Sequence, residues 1–172
     1  DSMFREMGDR YGIDWLLLSA IASAESKFVP DAVSKAGAIG LMQVMPSVAR
    51  QFDVTSEELA NPETNITVSA KLLKKIDHTI GFSDEVSAYD RMAIVLAAYN
   101  GGVGRIGQAR RLLQSEGGNP DSWEELSQTL RLMADADYIA SKGGSVRKFG
   151  GSGQTLAYVA QVIGRYNVYC KA

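Results

Sequence analysis

The sequence predicts a mainly α-helical single domain, and three observations support that class. Apolar residues recur every three to four positions in several stretches, the spacing that places them on one face of a helix. No stretch alternates apolar and polar residues as a half-buried strand does. At 172 residues the chain has the length of one domain and can bury a well-packed core. At most a short β hairpin is expected, in the glycine-containing segment 31–45.

The first predicted helix covers about residues 13–26. Leu17 and Ile21 follow the helical period, and Pro30 enforces a stop soon after the last apolar residue. Glu25 lies one turn beyond Ile21, so we expect its side chain on the buried stripe rather than on the solvent face.

The next two predicted helices differ in their patterns. Residues 65–80 form an amphipathic helix with Gly81 beyond its end. The stretch 92–98 is apolar almost all round, as a central core helix would be, and Asn100 with two following glycines ends it.

Three further elements complete the predicted fold. A helix is expected at 103–115. Ser122 followed three residues later by Glu125 is a capping-box signature that opens another helix. The glycine-rich segment 141–153 predicts a loop, after which Thr155 starts the last helix.

Composition excludes several kinds of site. The single cysteine, Cys170, allows neither an intrachain disulfide nor a cysteine-based metal cluster. The single histidine, His78, leaves little support for a Ser-His-Asp triad or a His-rich metal site, and both residues are interpreted as structural or incidental. No apolar run approaches the 18 or so residues of a membrane span.

The charges are unevenly distributed along the chain. Residues 1–90 carry a formal charge of −6 and residues 91–172 carry +4. The basic residues do not form a run with interleaved aromatics, so no nucleic-acid partner is expected. The first residues lack a signal-peptide pattern, as expected either for a cytoplasmic protein or for a mature or trimmed fragment.

Glu25 is a candidate catalytic group. Apolar surroundings remove water from a charged carboxylate and raise its pKa, and enzymes use this effect to keep a glutamic acid protonated near neutral pH. Two structural explanations stay open at this point: a helix-end Glu that turns out to water, and a Glu held in a buried polar network.

The segment after Glu25 has the composition of a ligand-binding turn. Small residues such as Ser34, Gly37 and Gly40 let the backbone approach a partner closely, and Gln43 places an amide among apolar neighbours. A buried amide needs hydrogen-bond partners. Together these residues indicate a groove that holds a polar ligand through amide and backbone groups.

With motifs further along the chain, these residues resemble the goose-lysozyme-like (SLT) catalytic domain of bacterial lytic transglycosylases. The matching residues are Glu25-Ser26, Phe28, Pro30, Ala32, Ser34, Gly37-Ala38, Gly40-Leu41-Met42-Gln43, Met45-Pro46, Asn61-Pro62, Asn65-Ile66, Ala98-Tyr99-Asn100-Gly101-Gly102 and Tyr158-Val159. The motifs extend over residues 13–166 in the family's order. The resemblance implies a goose-type lysozyme fold that uses no cofactor and no metal.

Residues 117–133, GGNPDSWEELSQTLRLM, resemble an insertion of the membrane-bound lytic transglycosylase F branch. In that branch an amino-terminal domain similar to periplasmic solute-binding proteins precedes the catalytic domain. The resemblance therefore implies that residues 1–172 are the catalytic domain of a longer protein, periplasmic and associated with the outer membrane. We expect a monomer that acts on peptidoglycan glycan strands.

The resemblance also implies a reaction. The family cleaves the β-1,4 bond between N-acetylmuramic acid and N-acetylglucosamine without water and leaves 1,6-anhydromuramyl ends. Glu25 would be the sole catalytic carboxyl, first an acid and then a base. Asp31 is close in sequence but lies beyond Pro30, and we expect a loop residue rather than a second acid.

Seven substrate-binding residues are implied by the same resemblance. They are Ser26, Ser34, Met42, Gln43, Tyr99, Asn100 and Tyr158. Ser34 is expected to hydrogen-bond an N-acetyl or lactyl group, Asn100 to bind an acetamido group, and Tyr158 to hydrogen-bond near Glu25. Gln154 departs from the pattern, because many relatives carry Glu there, and this puts one contact in the plus subsites in doubt.

Two alternatives remain. A muramidase would use water on the same fold, although Met42 and Gln43 favour internal attack by shielding the intermediate from water. A non-catalytic peptidoglycan-binding module is disfavoured by the presence of Glu25. The chemistry of the product ends distinguishes a muramidase from a lytic transglycosylase. Replacement of Glu25 distinguishes an enzyme from a non-catalytic binding module.

Overall fold

The computed structural model describes all 172 residues. It contains nine α-helices, one 3-10 turn at Glu58–Ala60 and no β-sheet, which confirms the mainly α class. The helices are α1 Ser2–Tyr11, α2 Trp15–Ser26, α3 Pro46–Arg50, α4 Pro62–Ile80, α5 Ala88–Gly101, α6 Val103–Ser115, α7 Trp123–Leu132, α8 Ala136–Ser141 and α9 Ser152–Lys171. No helix is both long enough and apolar enough to cross a membrane.

The start of α2 is set by a side-chain cap. The Asp14 carboxylate accepts a hydrogen bond from the Leu16 N–H at 2.9 Å, so the helix begins at Trp15, two residues after the predicted start. Tyr166 donates its hydroxyl hydrogen to the other Asp14 oxygen at 2.7 Å, and this bond raises the pKa of Tyr166. The helix ends at Ser26, as predicted.

Helices α4 and α6 also follow their local sequence. The Asn61 side chain accepts a hydrogen bond from the Thr64 N–H at 3.0 Å, and Pro62 occupies the first helical position, so α4 begins three residues before the predicted start. The prediction for α6 is confirmed at both ends.

Helix α5 is buried through the stretch predicted to be a core helix, from Ala93 to Ala98. It ends at Gly101, and Gly102 adopts a φ of 95°, a region that glycine enters without steric cost. Helix α6 then begins at the next residue, Val103, so a single glycine separates the two helices.

Half of the predicted capping box forms at α7. The Ser122 hydroxyl accepts a hydrogen bond from the Glu125 N–H at 3.2 Å, which confirms the helix start. The Glu125 carboxylate accepts a long hydrogen bond from the Asn119 N–H at 3.4 Å, instead of returning to the Ser122 N–H. That Ser122 N–H donates to the Asn119 carbonyl oxygen.

Some elements differ from the prediction. Helices α1, α3 and α8 and the 3-10 turn were not predicted. The expected hairpin is reduced to two isolated antiparallel bridges, Val33 with Ile39 and Ile39 with Val44. The predicted loop at 141–153 is shorter, because α8 extends to Ser141 and α9 already begins at Ser152.

The chain divides into two compact units. The first comprises residues 1–74 and 161–172, and the second comprises residues 75–160. In the first unit α1 packs against α2, and the Arg5 guanidinium lies 3.8 Å from the centre of the Trp15 ring. The large side chains buried at its core include Met7, Leu18, Ile21, Met42, Leu59 and Ile66.

The second unit is built on α5, α6 and α7, which pack against one another. Its largest fully buried side chains are Phe149, Ile94, Leu96, Ile106, Leu126 and Leu130. The prediction that the whole chain is one domain stays a prediction.

Candidate active site

Glu25 lies in the last turn of α2 and is half-buried. Ile21 and Ala22, in the preceding turn, are fully buried, so the predicted apolar surroundings are present along the helix. The Glu25 carboxyl group is therefore partly shielded from water beside the apolar core.

The chain turns sharply after Glu25 through two strained residues. Lys27 has a φ of 54° and Phe28 a φ of 63°, although neither is glycine. Each such residue costs about 1 kcal/mol or more and persists only where surrounding contacts impose it. The Phe28 ring packs edge-on against Phe4, with ring centres 6.1 Å apart. Strain of this kind is concentrated at functional sites.

Ser26 is buried, and its hydroxyl is used within the fold. The hydroxyl oxygen lies 2.8 Å from the Leu41 carbonyl oxygen and 3.2 Å from that of Ala22, so its one hydrogen is donated inside the chain. The contact fastens the end of α2 to the turn that follows. Ser26 thus positions this region, and the direct ligand contact that the resemblance implied stays a prediction.

Ser34 closes a tight turn. Its backbone N–H donates to the Ala38 carbonyl oxygen at 2.9 Å, and its hydroxyl oxygen accepts from the Ala38 N–H at 3.0 Å. The hydroxyl hydrogen is not used by either bond, so this half-buried side chain can donate to a ligand carbonyl. The geometry is compatible with the expected contact to an N-acetyl or lactyl group.

Gln43 is held in one orientation. Its amide nitrogen donates to the carbonyl oxygens of Ala32 at 3.1 Å and Gly40 at 2.9 Å, so the expectation that this amide needs partners is confirmed. Because both partners are acceptors, the amide cannot flip without losing both bonds. Gln43 also has a φ of 50°, a further strained residue in this turn. The amide oxygen remains as the polar atom with which Gln43 can accept from a ligand.

Met42 is a further predicted contact residue of this turn. The side chain is fully buried in this structure, and the contact with substrate that the resemblance implied stays a prediction. The Met42 N–H donates to the Asn65 side-chain oxygen at 2.8 Å. Met42 therefore helps to fix the turn through its backbone bond to Asn65.

Asn65, on α4, is the residue that organises this turn, and no role was assigned to it from the sequence. It is fully buried, and its amide nitrogen donates to the carbonyl oxygens of Ile39 at 2.8 Å and Leu59 at 3.0 Å. A Cβ on Gly40 would lie 2.4 Å from this nitrogen, so only glycine fits there. The sequence did hold a signal for this role, because Asn65 is a polar side chain on the apolar face of an amphipathic helix.

The second unit holds the other predicted ligand residues. Asn100 is exposed near the end of α5, and its side-chain oxygen accepts a hydrogen bond from the buried Thr155 hydroxyl at 2.8 Å. This bond leaves the Asn100 amide hydrogens directed at other acceptors. Tyr99 is half-buried, and Tyr158, one turn beyond Thr155 on α9, is 8% exposed.

Gly101 is needed for the close approach of these elements. A Cβ at this position would lie 3.0 Å from the Phe149 ring and 3.0 Å from the Thr155 hydroxyl oxygen. The glycine in the Asn100-Gly101-Gly102 motif thus has a packing explanation within the second unit.

The predicted site residues fall into two groups. Glu25, Ser26, Ser34, Met42 and Gln43 belong to the first unit, and Tyr99, Asn100 and Tyr158 belong to the second. Asp31 is an exposed loop residue, as expected, and Gln154 is exposed in the first turn of α9. No group of three or more His, Cys, Asp or Glu side chains is placed to hold a metal ion.

Comparison with known families and sequences finds consistent matches. The family model of the transglycosylase SLT domain matches residues 2–121. Membrane-bound lytic murein transglycosylase F of Alcanivorax borkumensis is 33% identical over 170 residues, covering 98% of this chain and 34% of the relative. The protein of the same name from Maricaulis maris is 34% identical over 161 residues, covering 93% and 34%. The chain thus spans about a third of the length of these relatives.

Two solved structures share the fold. An inactive mutant of lytic transglycosylase Slt from Pseudomonas aeruginosa superimposes with a TM-score of 0.66 at 23% identity, covering 99% of this chain and 24% of that one. The 70 kDa soluble lytic transglycosylase SLT70 from Escherichia coli gives a TM-score of 0.65 at 24% identity, covering 98% and 23%. At this level of identity the similarity is one of fold.

Proposed function

Because the chain belongs to the transglycosylase SLT domain family, we propose that it cleaves the β-1,4 bond between N-acetylmuramic acid and N-acetylglucosamine in peptidoglycan. The products carry 1,6-anhydromuramyl ends. The observation that carries the proposal is the family match over residues 2–121, which includes Glu25 and the turn after it.

Glu25 acts twice in the proposed reaction. In its neutral form it donates a proton to the glycosidic oxygen, and the bond from that oxygen to the muramic anomeric carbon breaks. The muramic C6 hydroxyl oxygen then bonds to the anomeric carbon and gives its proton to the Glu25 carboxylate. The first step leaves Glu25 as a carboxylate, the form that the second step requires, and the second step restores the neutral acid. The 2-acetamido group can assist at the anomeric carbon, as in substrate-assisted glycosidases.

The position of Glu25 supports the first step. It is half-buried in the last turn of α2, so the carboxyl group is partly shielded from water before substrate arrives. Once the leaving sugar has taken the proton, the cationic character of the sugar in the transition state stabilises the carboxylate that has formed. One residue can therefore alternate between acid and base.

Ligand contacts are proposed for seven side chains. Ser34 donates its hydroxyl hydrogen, Gln43 accepts with its amide oxygen, and Asn100 donates its amide hydrogens to an acetamido carbonyl. Tyr99 and Tyr158 are included on the family resemblance. Ser26 and Met42 hold the turn that carries Glu25 and Gln43, and their own ligand contacts are included only on the family resemblance.

Digestion of peptidoglycan in water enriched in oxygen-18 tests the reaction. Internal attack by the C6 hydroxyl gives anhydromuramyl ends without the label, as mass spectrometry of the products would show. A muramidase would instead give reducing muramic ends that carry one labelled oxygen. Labelled reducing ends as the main product would reject the proposal in favour of hydrolysis.

A longer protein is proposed around this domain. The curated relatives are named membrane-bound, and this chain spans about a third of them. We infer a periplasmic, monomeric enzyme at the outer membrane, with an amino-terminal domain similar to solute-binding proteins, from the resemblance of residues 117–133 to the insertion of that branch. The full-length gene sequence and fractionation of the cell envelope test this assignment.

A further inference from the structure

A cavity of about 370 Å³ in the second unit is lined by four cationic side chains. Arg105, Arg111, Arg147 and Lys148 line it, and no acidic residue is among its lining residues. We call it the α6 basic pocket. The proposed reaction at Glu25 does not use it.

The pocket is built by the fold. Arg105 and Arg111 project from α6, and the segment 142–151 brings Arg147 and Lys148 opposite them. That segment is anchored by Phe149, which is 2% exposed.

Three contacts hold the anchor in place. The Phe149 N–H donates to the Met133 carbonyl oxygen at 2.8 Å, and the Arg147 N–H donates to the Gln108 side-chain oxygen at 3.3 Å. The Arg105 guanidinium lies 4.9 Å from the centre of the Phe149 ring. The basic residues are therefore presented by a packed framework.

The charges of this pocket are not neutralised within the chain. The ion pairs of Arg10, Arg91, Arg110 and Lys142 lie elsewhere, and none of them involves a cation of the pocket. Arg110, one residue before Arg111 on α6, is paired with Asp121 at 2.9 Å. Four like charges around one cavity repel one another and raise the local concentration of anions. The pocket therefore favours an anionic ligand.

We propose that the α6 basic pocket binds a carboxylate group of the peptide stems carried by the peptidoglycan strand. Arginine guanidinium groups form paired, charge-assisted hydrogen bonds with carboxylates. This inference rests on the proposed function for the identity of the strand.

The pocket is joined to a predicted sugar contact within the same unit. Phe149 lines the pocket, and a Cβ on Gly101 would lie 3.0 Å from its ring. Gly101 directly follows Asn100, the proposed acetamido contact. A muramic residue held at Asn100 would therefore carry its peptide stem past the end of α5, near the basic side chains. The concave shape suits a compact carboxylate-bearing group better than a flat membrane surface.

Binding without turnover tests the inference. In the Glu25→Gln background, affinity is measured by calorimetry for a disaccharide that carries a peptide stem and for the same disaccharide without it. The double variant Arg111→Gln, Arg147→Gln should weaken binding of the peptide-bearing ligand about tenfold and of the bare disaccharide less than twofold. The double variant Arg131→Gln, Arg165→Gln, which changes two exposed arginines outside the pocket, should bind both ligands as the parent does.

Two results would overturn the inference. One is an equal loss, or no loss, for the two ligands in the pocket variant. The other is a pocket variant that no longer sediments with vesicles containing anionic phospholipid, although the parent does, and that still binds the peptide-bearing disaccharide as the parent does. That result would assign the pocket to a membrane. The reaction is tested separately, because a parent chain that yields no anhydromuramyl ends but shows the tenfold difference would reject the reaction alone.

Discussion

The turn after α2 and the helices around α6 are held together by different kinds of interaction. In the turn, neutral amide groups of Gln43 and Asn65 bind backbone carbonyls, and three non-glycine residues take left-handed conformations. Around α6, beside its apolar core contacts, the side-chain ion pair is charged, with Arg110 paired to Asp121, and the α6 basic pocket is left unpaired. The turn is therefore fixed independently of pH and salt, whereas the α6 region responds to both.

This difference matches the roles proposed for the two regions. A proton donor must be held in one place relative to a sugar, and uncharged hydrogen bonds in a buried turn provide that rigidity. Recognition of an anionic group requires charge that is available to the ligand. Substitutions in each region can show whether the two regions differ in this way.

The largest effect is expected for Asn65→Ala. The substitution removes the partner of a buried Met42 N–H and of the Leu59 carbonyl oxygen and one of two bonds to the Ile39 carbonyl oxygen, and we expect a loss of about 4 kcal/mol in the free energy of unfolding. Urea denaturation measures it. Asn167→Ala, at an exposed position on α9, is the control, and a similar small change in both variants would show that the turn does not depend on Asn65.

A pair of glycines in the turn separates steric contact from backbone conformation. Gly40 and Gly37 both have positive φ, at 80° and 92°, but a Cβ meets Asn65 at 2.4 Å only in the case of Gly40. Gly37→Ala should cost about 1 kcal/mol of unfolding free energy and Gly40→Ala about 3 kcal/mol. Equal losses would mean that the Asn65 side chain moves aside freely.

Thr155→Val tests a neutral bond that orients a predicted ligand residue in the second unit. Loss of the hydroxyl frees the Asn100 amide to rotate and should cost about 1 kcal/mol in binding of an N-acetylglucosamine oligosaccharide. Calorimetric titration measures the affinity. Thr79→Val, which removes a bond to a carbonyl of its own helix, should leave binding unchanged, and equal affinity in both variants would remove Asn100 from the site.

The smallest effect concerns pH. Burial opposes ionisation of Asp121, but hydrogen bonds from the Ser83 N–H and from Arg110 outweigh it, so the pKa of Asp121 is lowered. Its contribution to stability is present above the pKa of an unfolded aspartate, about 4, and is lost as pH falls through the lower folded pKa. Asp121→Asn should therefore be less stable than the parent at pH 7, and the difference should shrink below about pH 4.

Unfolding curves over this pH range check the prediction. Asp137→Asn, at an exposed position on α8, serves as the control and should follow the parent throughout. A difference between Asp121→Asn and the parent that grows on acidification would reverse the assigned sign.

The long helices could be predicted because the residues that determine them are close together in the sequence. Apolar spacing and capping residues such as Ser122 lie within a few positions of the elements that they define. Helix α1 was not predicted because its only large buried side chains are Phe4 and Met7, which are too few to show a helical period. Helices α3 and α8 have 5 and 6 residues, less than two turns.

The predicted site residues still await a test, but the hydrogen bonds and burial of some of them could not be predicted from the sequence. Family motifs singled out Ser26 and Met42, yet the first binds a carbonyl 15 residues away and the second is fully buried. The role of Asn65 depends on partners at positions 39 and 42, which only the folded chain brings to it. Sequence spacing cannot tell a side chain that faces a ligand from one that faces such a distant partner.

The most direct test of the central claim is the rate at which Glu25→Gln releases anhydromuramyl products from peptidoglycan. Glutamine keeps the shape of the side chain but can neither donate nor accept the proton, so we predict a loss of about 10³-fold with an unchanged unfolding transition. Asp31→Asn, at the exposed acid nearest in sequence, should retain the parent rate. A Glu25→Gln protein that releases these products within tenfold of the parent rate would contradict the assignment of Glu25 as the acid and base.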